Sequence, residues 1–252
     1  MVEELISKLE ENSVKILDEC LQEIKAAAGP EVQKVPDEEL RVSLYMLLLQ
    51  VIEFLRRATG AGPARVGDFR QVFIDGMKIV VDAIDNQSSF TAGHSAAVAR
   101  HAGILAARMS LSDREISDVE NAARIHNLGL INSSQRALTL SRTLNEDELQ
   151  QARNHCVLGA EILRPIEFLA PMVPMVRYHH TRYDGSGYPG GTGGQNLPLG
   201  ARIIAVADAY QAMISPRPHR PAMTREQALA EIDKGAGKQF DPKLAGLAHE
   251  IA

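Results

Sequence analysis

The stretch "AARIHNLGLI", residues 122–131, decides how the chain is read. Its apolar residues recur at helical spacing, and one polar pair, His126 and Asn127, lies in the middle. It reads as a buried helix, and an imidazole beside an amide in such a run needs a partner. The same rhythm runs outward on both sides. Ser112 with Glu115 and Thr224 with Gln227 form capping boxes, and Asn145 with Glu148 gives a similar start signal. Another helix is expected from about Asp68 to Ile84. No alternating strand pattern, sequence repeat or low-complexity tract is present. Aromatic residues make up only 4% and there is no Trp, so the core is built from Ala, Leu, Ile, Val and Met. That composition suits packed helices, and the expected fold class is all-α.

The 252 residues suffice for one large domain or two modest ones. Residues 2–28 read as an amphipathic helix closed by Gly29 and Pro30. Pro36 with Asp37, Glu38 and Glu39 starts a second helix that is apolar almost all round. The loop "TGAGPARVG", residues 59–67, is the best boundary signal, and the chain is divided into an N-terminal helical region, 1–77, and a second domain, 78–252. The apolar face of the first region suggests dimerisation, as a homodimer, or an input role. Net charge is -5, which excludes a coat for DNA or RNA polymers but leaves small anions open through local arginines. Cys20 and Cys156 form no disulfide framework, and a reducing compartment is expected. No apolar run reaches the roughly 18 residues of a membrane span, and the N-terminus is too acidic for a signal peptide. A cytoplasmic location is therefore expected.

Five of the eight histidines have the company that a metal site needs. His94 opens the helix "GHSAAVARHAGIL", His126 lies mid-helix, and His155 follows "LQQARN" on a third helix. His179 and His180 end "PMVPMVRYHH", where Met172, Met175, Val176 and His179 share a face, so His179 is expected to point inward. Asp208 stands in "ARIIAVADAYQAM", a helix with little other polarity, where a buried unpaired carboxylate is costly. Imidazoles and an acid from several helices can converge on one cation. The alternative for each residue is a hydrogen-bonded core position, and His101, His219 and His249 are left there. The spacing matches none of the short zinc signatures. One tract breaks the helical rhythm: "YDGSGYPGGTGGQNLPLG", residues 183–200, has seven glycines and two prolines. A loop of that length tends to be functional or disordered.

Taken in order, "FTAGHSAAVARHA", "AARIHNLGLI", "NHCVLGAEIL", "HHTRYDGSGYPGG", "ARIIAVADAY", "SPRPHRPAMTREQAL" and "AGKQFDPKL" resemble the HD-GYP domain family. The resemblance runs over most of residues 78–250 and leaves residues 1–77 outside. It implies the helical bundle of the HD superfamily, to which residues 1–77, read from their own periodicity, add an N-terminal helical extension. It also implies a two-metal phosphodiesterase, with iron or manganese, acting on cyclic di-GMP to give the linear dinucleotide or GMP. By position, His94, His126 and Asp208 would hold one ion, and His155, His179 and His180 the other. Asn127 falls where the family has its bridging aspartate. Arg217 and Arg220 fall on its cationic phosphate contacts, and Gly185 and Tyr188 belong to the loop that walls its pocket.

The chain also departs from that pattern. An amide offers one neutral oxygen where a carboxylate offers two anionic ones, so Asn127 removes a negative charge from between two dications. The pair of ions is expected to suffer more than a single ion, with the site of His155, His179 and His180 surviving better. Leu130 stands where a lysine commonly reaches phosphate, Gln211 where a second Asp often occurs, and Thr181 where Glu is frequent. Phe90 replaces a Glu that serves a third metal in some members, so no third ion is expected. Two functions are compatible with this mixture. One is a phosphodiesterase of weak or impaired activity; the other is a catalytically degenerate module that binds a nucleotide or one metal and signals through a protein partner. A purely structural role for the histidines is the third reading.

Overall fold

In the computed structural model, the described residues are 66–86, 88, 90–132, 145–217 and 220–251, with isolated positions before them. The helices expected over residues 2–28 and after Pro36 lie outside this set, as does His219. Among the described residues there is no strand, and nine α-helices carry the fold. They are α1 Val66–Asp85, α2 His94–Arg108, α3 Asp113–Ile125, α4 Glu146–Arg153, α5 His155–Leu163, α6 Val173–Tyr178, α7 Leu199–Ile214, α8 Arg225–Lys234 and α9 Pro242–Leu247. The chain forms two compact units, Met1–Val80 and Val81–Ala252. The second unit carries the histidines and the glycine-rich tract.

Three helix starts were legible and are built as expected. Ser112, Asn145 and Thr224 each accept from the third backbone N–H, and Glu115, Glu148 and Gln227 reach back to the cap. Each box satisfies two donors that a helix start leaves orphaned. Helix α7 is the centre of the bundle. Ala201, Ile203, Ile204, Val206, Ala207 and Tyr210 are all buried on it, and it touches α2, α3, α6, α8 and α9. A helix apolar on nearly every side must be wrapped in this way. Its first turn is tied down by Arg202, which pairs with the buried Asp241. Asp241 also caps α9, accepting from the Lys243 amide at 2.9 Å.

The stretch 122–131 corrects the expectation of one continuous helix. Helix α3 stops at Ile125, His126 and Asn127 form the turn, and Leu128–Asn132 is a 3-10 segment. Gly129 gives the physical reason. A Cβ there would lie 2.0 Å from the His155 carbonyl oxygen and 2.6 Å from the Gly159 nitrogen. The chain leaves the helix axis to lay its backbone directly on α5, and only glycine permits that contact. His126 is therefore a helix-end residue, and so is His155, which begins α5 after α4 has ended at Arg153. His249 corrects another expectation, since it is exposed and faces Asp233 at 3.2 Å.

Gly129→Ala should destabilise the protein by about 1–3 kcal/mol, the usual cost of forcing extra atoms into a filled interior. Urea unfolding measures it, and an unchanged midpoint would contradict this contact.

Candidate metal centre

Three histidines reach the site by one device. His126 Nδ1 lies 2.6 Å from the Ala123 carbonyl oxygen, His155 Nδ1 2.5 Å from that of Ala152, and His179 Nδ1 2.7 Å from that of Val176. Each acceptor is three residues back, in the last turn of α3, α4 or α6, where carbonyls lack a helical partner. A carbonyl can only accept, so Nδ1 carries the proton and Nε2 is left as a lone pair. All three rings are buried, His179 completely. Burial, the largest influence, pulls His126, His155 and His180 down to about 4 and His179 well below its ordinary value. At neutral pH these are uncharged rings with free electron pairs, the form a cation requires.

His94 arrives differently. It starts α2, whose cap residue Gly93 offers no side chain. Asp85, almost fully buried, takes the cap's place: its carboxylate accepts from the Ser95 amide at 2.7 Å and the Ser95 hydroxyl at 3.2 Å. His94 Nε2 then lies 2.9 Å from Asp208 Oδ1, while its buried Nδ1 has no hydrogen-bond partner. Asp208, on α7, is 16% exposed and sits between groups. Its Oδ1 is 4.0 Å from His126 Nε2 and its Oδ2 4.0 Å from His180 Nδ1. Burial alone would push its carboxyl up. The hydrogen bond from His94 and the rings of His94, His126 and His180 outweigh that and hold it well below the ordinary carboxylate value.

Two donor groups result: His94, His126 and Asp208, and beside them His155, Cys156, His179 and His180. Within each group the donor atoms lie within 4.8 Å of one another. The groups adjoin, since the His126 and His179 rings meet edge to face at 5.1 Å. Neutral imidazoles gathered around an ionised carboxylate fit a cation better than they fit one another.

The glycine-rich tract forms a wall of this site. Thr181 pairs with Gly187, and the Thr181 hydroxyl donates to the Tyr188 carbonyl at 3.2 Å. Gly187 has a φ of 85°, and a Cβ on it would strike the His180 carbonyl at 2.5 Å. Tyr188 consequently sits 4.9 Å from the His180 ring. The Tyr183 and Asp184 amides donate to the carbonyls of Gln239 and Lys238, so the "AGKQFDPKL" segment anchors the loop. A cavity opens here, lined by His179, His180, Thr181, Arg182, Ala205, Asp208, Ala209, Gln239 and Phe240.

The residues singled out from sequence do not all gather at this point. The five histidines and Asp208 come together, with Tyr188 against them and Gly185 in the same loop. Asn127 lies half-buried in the turn beside His126, and its side chain makes no hydrogen bond among the described residues. Arg217 and Arg220 stand in the turn after α7, paired through their backbones. The Arg220 guanidinium donates to the Ala212 and Met213 carbonyls at the end of α7. Gln211 orients His101 at 3.1 Å. Sequence reasoning missed Arg182 at the cavity, Asp85 behind His94, and Cys156 inside the second group. Cys156 and Arg182 carried a signal, the one its place next to His155 and the other its place inside the "HHTRYDGSGYPGG" tract.

Residues 78–244 match the model of the HD domain. The chain belongs to the HD domain family. Within it, the tract from His179 to Pro189 and its similarity to phosphodiesterases of that type make it an HD-GYP member. It is 36% identical over 163 residues to a cyclic di-GMP phosphodiesterase response regulator of Xanthomonas campestris, covering 64% of this chain and 43% of that one. It is 28% identical over 236 residues to a 3'3'-cGAMP-specific phosphodiesterase of Vibrio cholerae, covering 90% and 51%. A cyclic di-GMP phosphodiesterase of Thermotoga maritima is 32% identical over 155 residues, covering 60% and 42%. The HD-GYP chain thus spans about half the length of these relatives. A solved HDG"Y"P protein of Bdellovibrio bacteriovorus shares the fold, with a TM-score of 0.56 at 14% identity, over 96% of this chain and 80% of that one. Among the described residues no helix is long and apolar enough to cross a membrane.

The buried rings of this HD domain make its stability depend on pH. Folded-state values near 4 for His126, His155 and His180 lie below the ordinary 6.5. Between those limits the unfolded chain takes up protons that the folded chain refuses, so stability falls as pH drops through that window. The urea midpoint of metal-free protein should decrease from pH 7 to pH 5, and a flat midpoint would put the rings in water. Replacing Asp85 by Ala should cost about 1–2 kcal/mol, as loss of a helix cap does. Asp85→Asn, which keeps an acceptor, should recover part of it. Equal losses in the two variants would show that capping is not what Asp85 does.

Proposed function

We propose that the chain binds a cyclic dinucleotide and hydrolyses it slowly, as a metal-dependent phosphodiesterase holding iron or manganese. The observation that carries this reading is the pair of adjoining donor groups with the His126 and His179 rings in contact. The names of the relatives support the substrate class, since two are cyclic di-GMP phosphodiesterases and one is specific for 3'3'-cGAMP. His94, His126 and Asp208 would hold one ion, and His155, His179 and His180 the other. Bound there, such ions neutralise charge on the phosphate oxygens and lower the pKa of the attacking water.

The chain's own residues prepare that chemistry. The last-turn carbonyls lock three tautomers, so no proton has to leave Nε2 before an ion binds. Tyr188 lies against the His180 ring, and its hydroxyl, pushed up by burial, stays protonated. Arg182 brings a permanent cation to the cavity, steadied by Gln239 at 3.0 Å. Arg217 and Arg220 are assigned to the same phosphates. Arg220 spends two of its donors on α7 and retains others for a ligand. Residues 1–77 are assigned to dimerisation or input.

Asn127 is the reason for slow turnover. It puts a neutral amide beside His126 where a bridging carboxylate would offset the repulsion between two dications. The same loss favours a second reading, a module that binds the nucleotide without cutting it. Metal content and hydrolysis of cyclic di-GMP and 3'3'-cGAMP separate the two, using wild type and Asn127→Asp loaded anaerobically with ferrous iron or manganese. The expected result is fewer than two ions and slow cleavage in wild type, with both rising in Asn127→Asp. Two ions and turnover of several per second in wild type would refute the role given to Asn127. Nucleotide binding without cleavage in either protein would establish the binding module.

A further inference from the structure

We propose that Cys156 is a ligand of the second donor group, giving it three imidazoles and one sulfur. The proposal rests on the reading of that group as a metal site, and it goes beyond the assignment of His155, His179 and His180 alone.

Lone pairs are the starting point. The Nε2 atoms of His155 and His179 lie 3.2 Å apart. Both rings give their Nδ1 proton to a backbone carbonyl, so neither nitrogen has a hydrogen for the other. Two lone pairs facing at that distance repel unless something positive lies between them. The Cys156 sulfur is completely buried, 3.5 Å from His155 Nε2 and 3.8 Å from His179 Nε2. Its single proton can serve one nitrogen but not both. A cation answers all three atoms at once.

The separations fit such an ion. Tetrahedral coordination with bonds of about 2.0–2.1 Å to imidazole and about 2.3 Å to sulfur has edges of about 3.3 Å between nitrogens and about 3.5 Å between nitrogen and sulfur. The observed edges are 3.2, 3.5 and 3.8 Å. His180 supplies the fourth donor. Without an ion, burial and the Asp208 charge push the thiol up, so it stays protonated. On binding, the sulfur–hydrogen bond breaks, its electron pair goes to the metal, and the proton leaves to solvent.

A sulfur ligand changes both the charge and the selectivity of the group. The thiolate returns one negative charge to a centre from which Asn127 has taken one. Sulfur also favours zinc, ferrous iron and cobalt over manganese, which prefers oxygen donors.

Cobalt(II) tests this on the full chain, because a thiolate ligand gives a near-ultraviolet charge-transfer band that imidazoles do not. Wild type titrated with cobalt should show the band. Cys20→Ser should keep it, and Cys156→Ser should lose it while still binding cobalt. Zinc should displace cobalt from wild type, and Cys156→Ser should bind zinc at least roughly ten-fold more weakly, no less than the loss of a group behind a ligand costs. Cobalt bound to wild type without the band would overturn the proposal and leave a histidine site standing. A band that vanishes with Cys20→Ser would overturn it too. No cobalt bound at all would overturn both the proposal and the site it rests on.

Discussion

The centre depends on a hydrogen bond between an imidazole and the end of a helix. Helix C-termini leave carbonyls without partners, and three of them here are used to hold a histidine Nδ1–H. The bond fixes the ring's orientation and its tautomer together, and the orphaned carbonyl is satisfied in the same step. The Nε2 lone pair is left free, and its direction is set by where the helix stops. The placement of helix ends in the bundle therefore is the placement of these lone pairs. It accounts for where α3, α4 and α6 end, and for the glycines at 129 and 159 that let the 3-10 segment and α5 approach to backbone contact. Any side chain larger than hydrogen at Gly129 would move His126 and His155 relative to each other.

The fold was legible because its signals are local. Capping boxes at Ser112, Asn145 and Thr224 announce helix starts within four residues, and the apolar run around Asp208 announces a central helix. The histidines and Asp208 were legible as a set because the motif order resembles a known family, and they do converge. The internal form of residues 122–131 was not legible. Periodicity sees an apolar run, whereas the break after Ile125 is imposed by the contact of Gly129 with α5, far along the sequence. Asp85 was invisible for the same kind of reason. Its carboxylate caps α2 across an intervening turn, and no short-range pattern links residue 85 to residue 95. The arginines show the reverse problem. The motif drew attention to Arg217 and Arg220, while Arg182, inside the tract already quoted, is the one that lines the cavity.

The departures from the family pattern acquire structural meanings when placed in space. Thr181, where Glu is frequent, uses its hydroxyl to hold the Tyr188 carbonyl and so fixes the wall of the cavity. Gln211, where an acid often stands, bridges His101 and Ser215 one turn beyond Asp208 on α7. Both are neutral groups, and each donates a hydrogen bond that an ionised carboxylate, which can only accept, cannot make. Negative charge has been withdrawn from the surroundings of the histidines while the imidazoles themselves have been kept.

That pattern bears on how many ions the centre can hold. Two dications a few ångströms apart repel strongly at low dielectric, and protein anions must offset most of that repulsion. Here Asp208 is the one carboxylate in either donor group, with one oxygen toward His94 and His126 and the other toward His180. A single anion shared by both groups stabilises one ion well and a second poorly. A deprotonated Cys156 changes that balance for its own group alone, since the sulfur lies against His155 and His179. The two halves of the centre are thus unequal in charge and in softness. On the proposed coordination by Cys156, the sulfur-bearing group is expected to fill before the group of His94, His126 and Asp208, where Asn127 would leave the charge deficit.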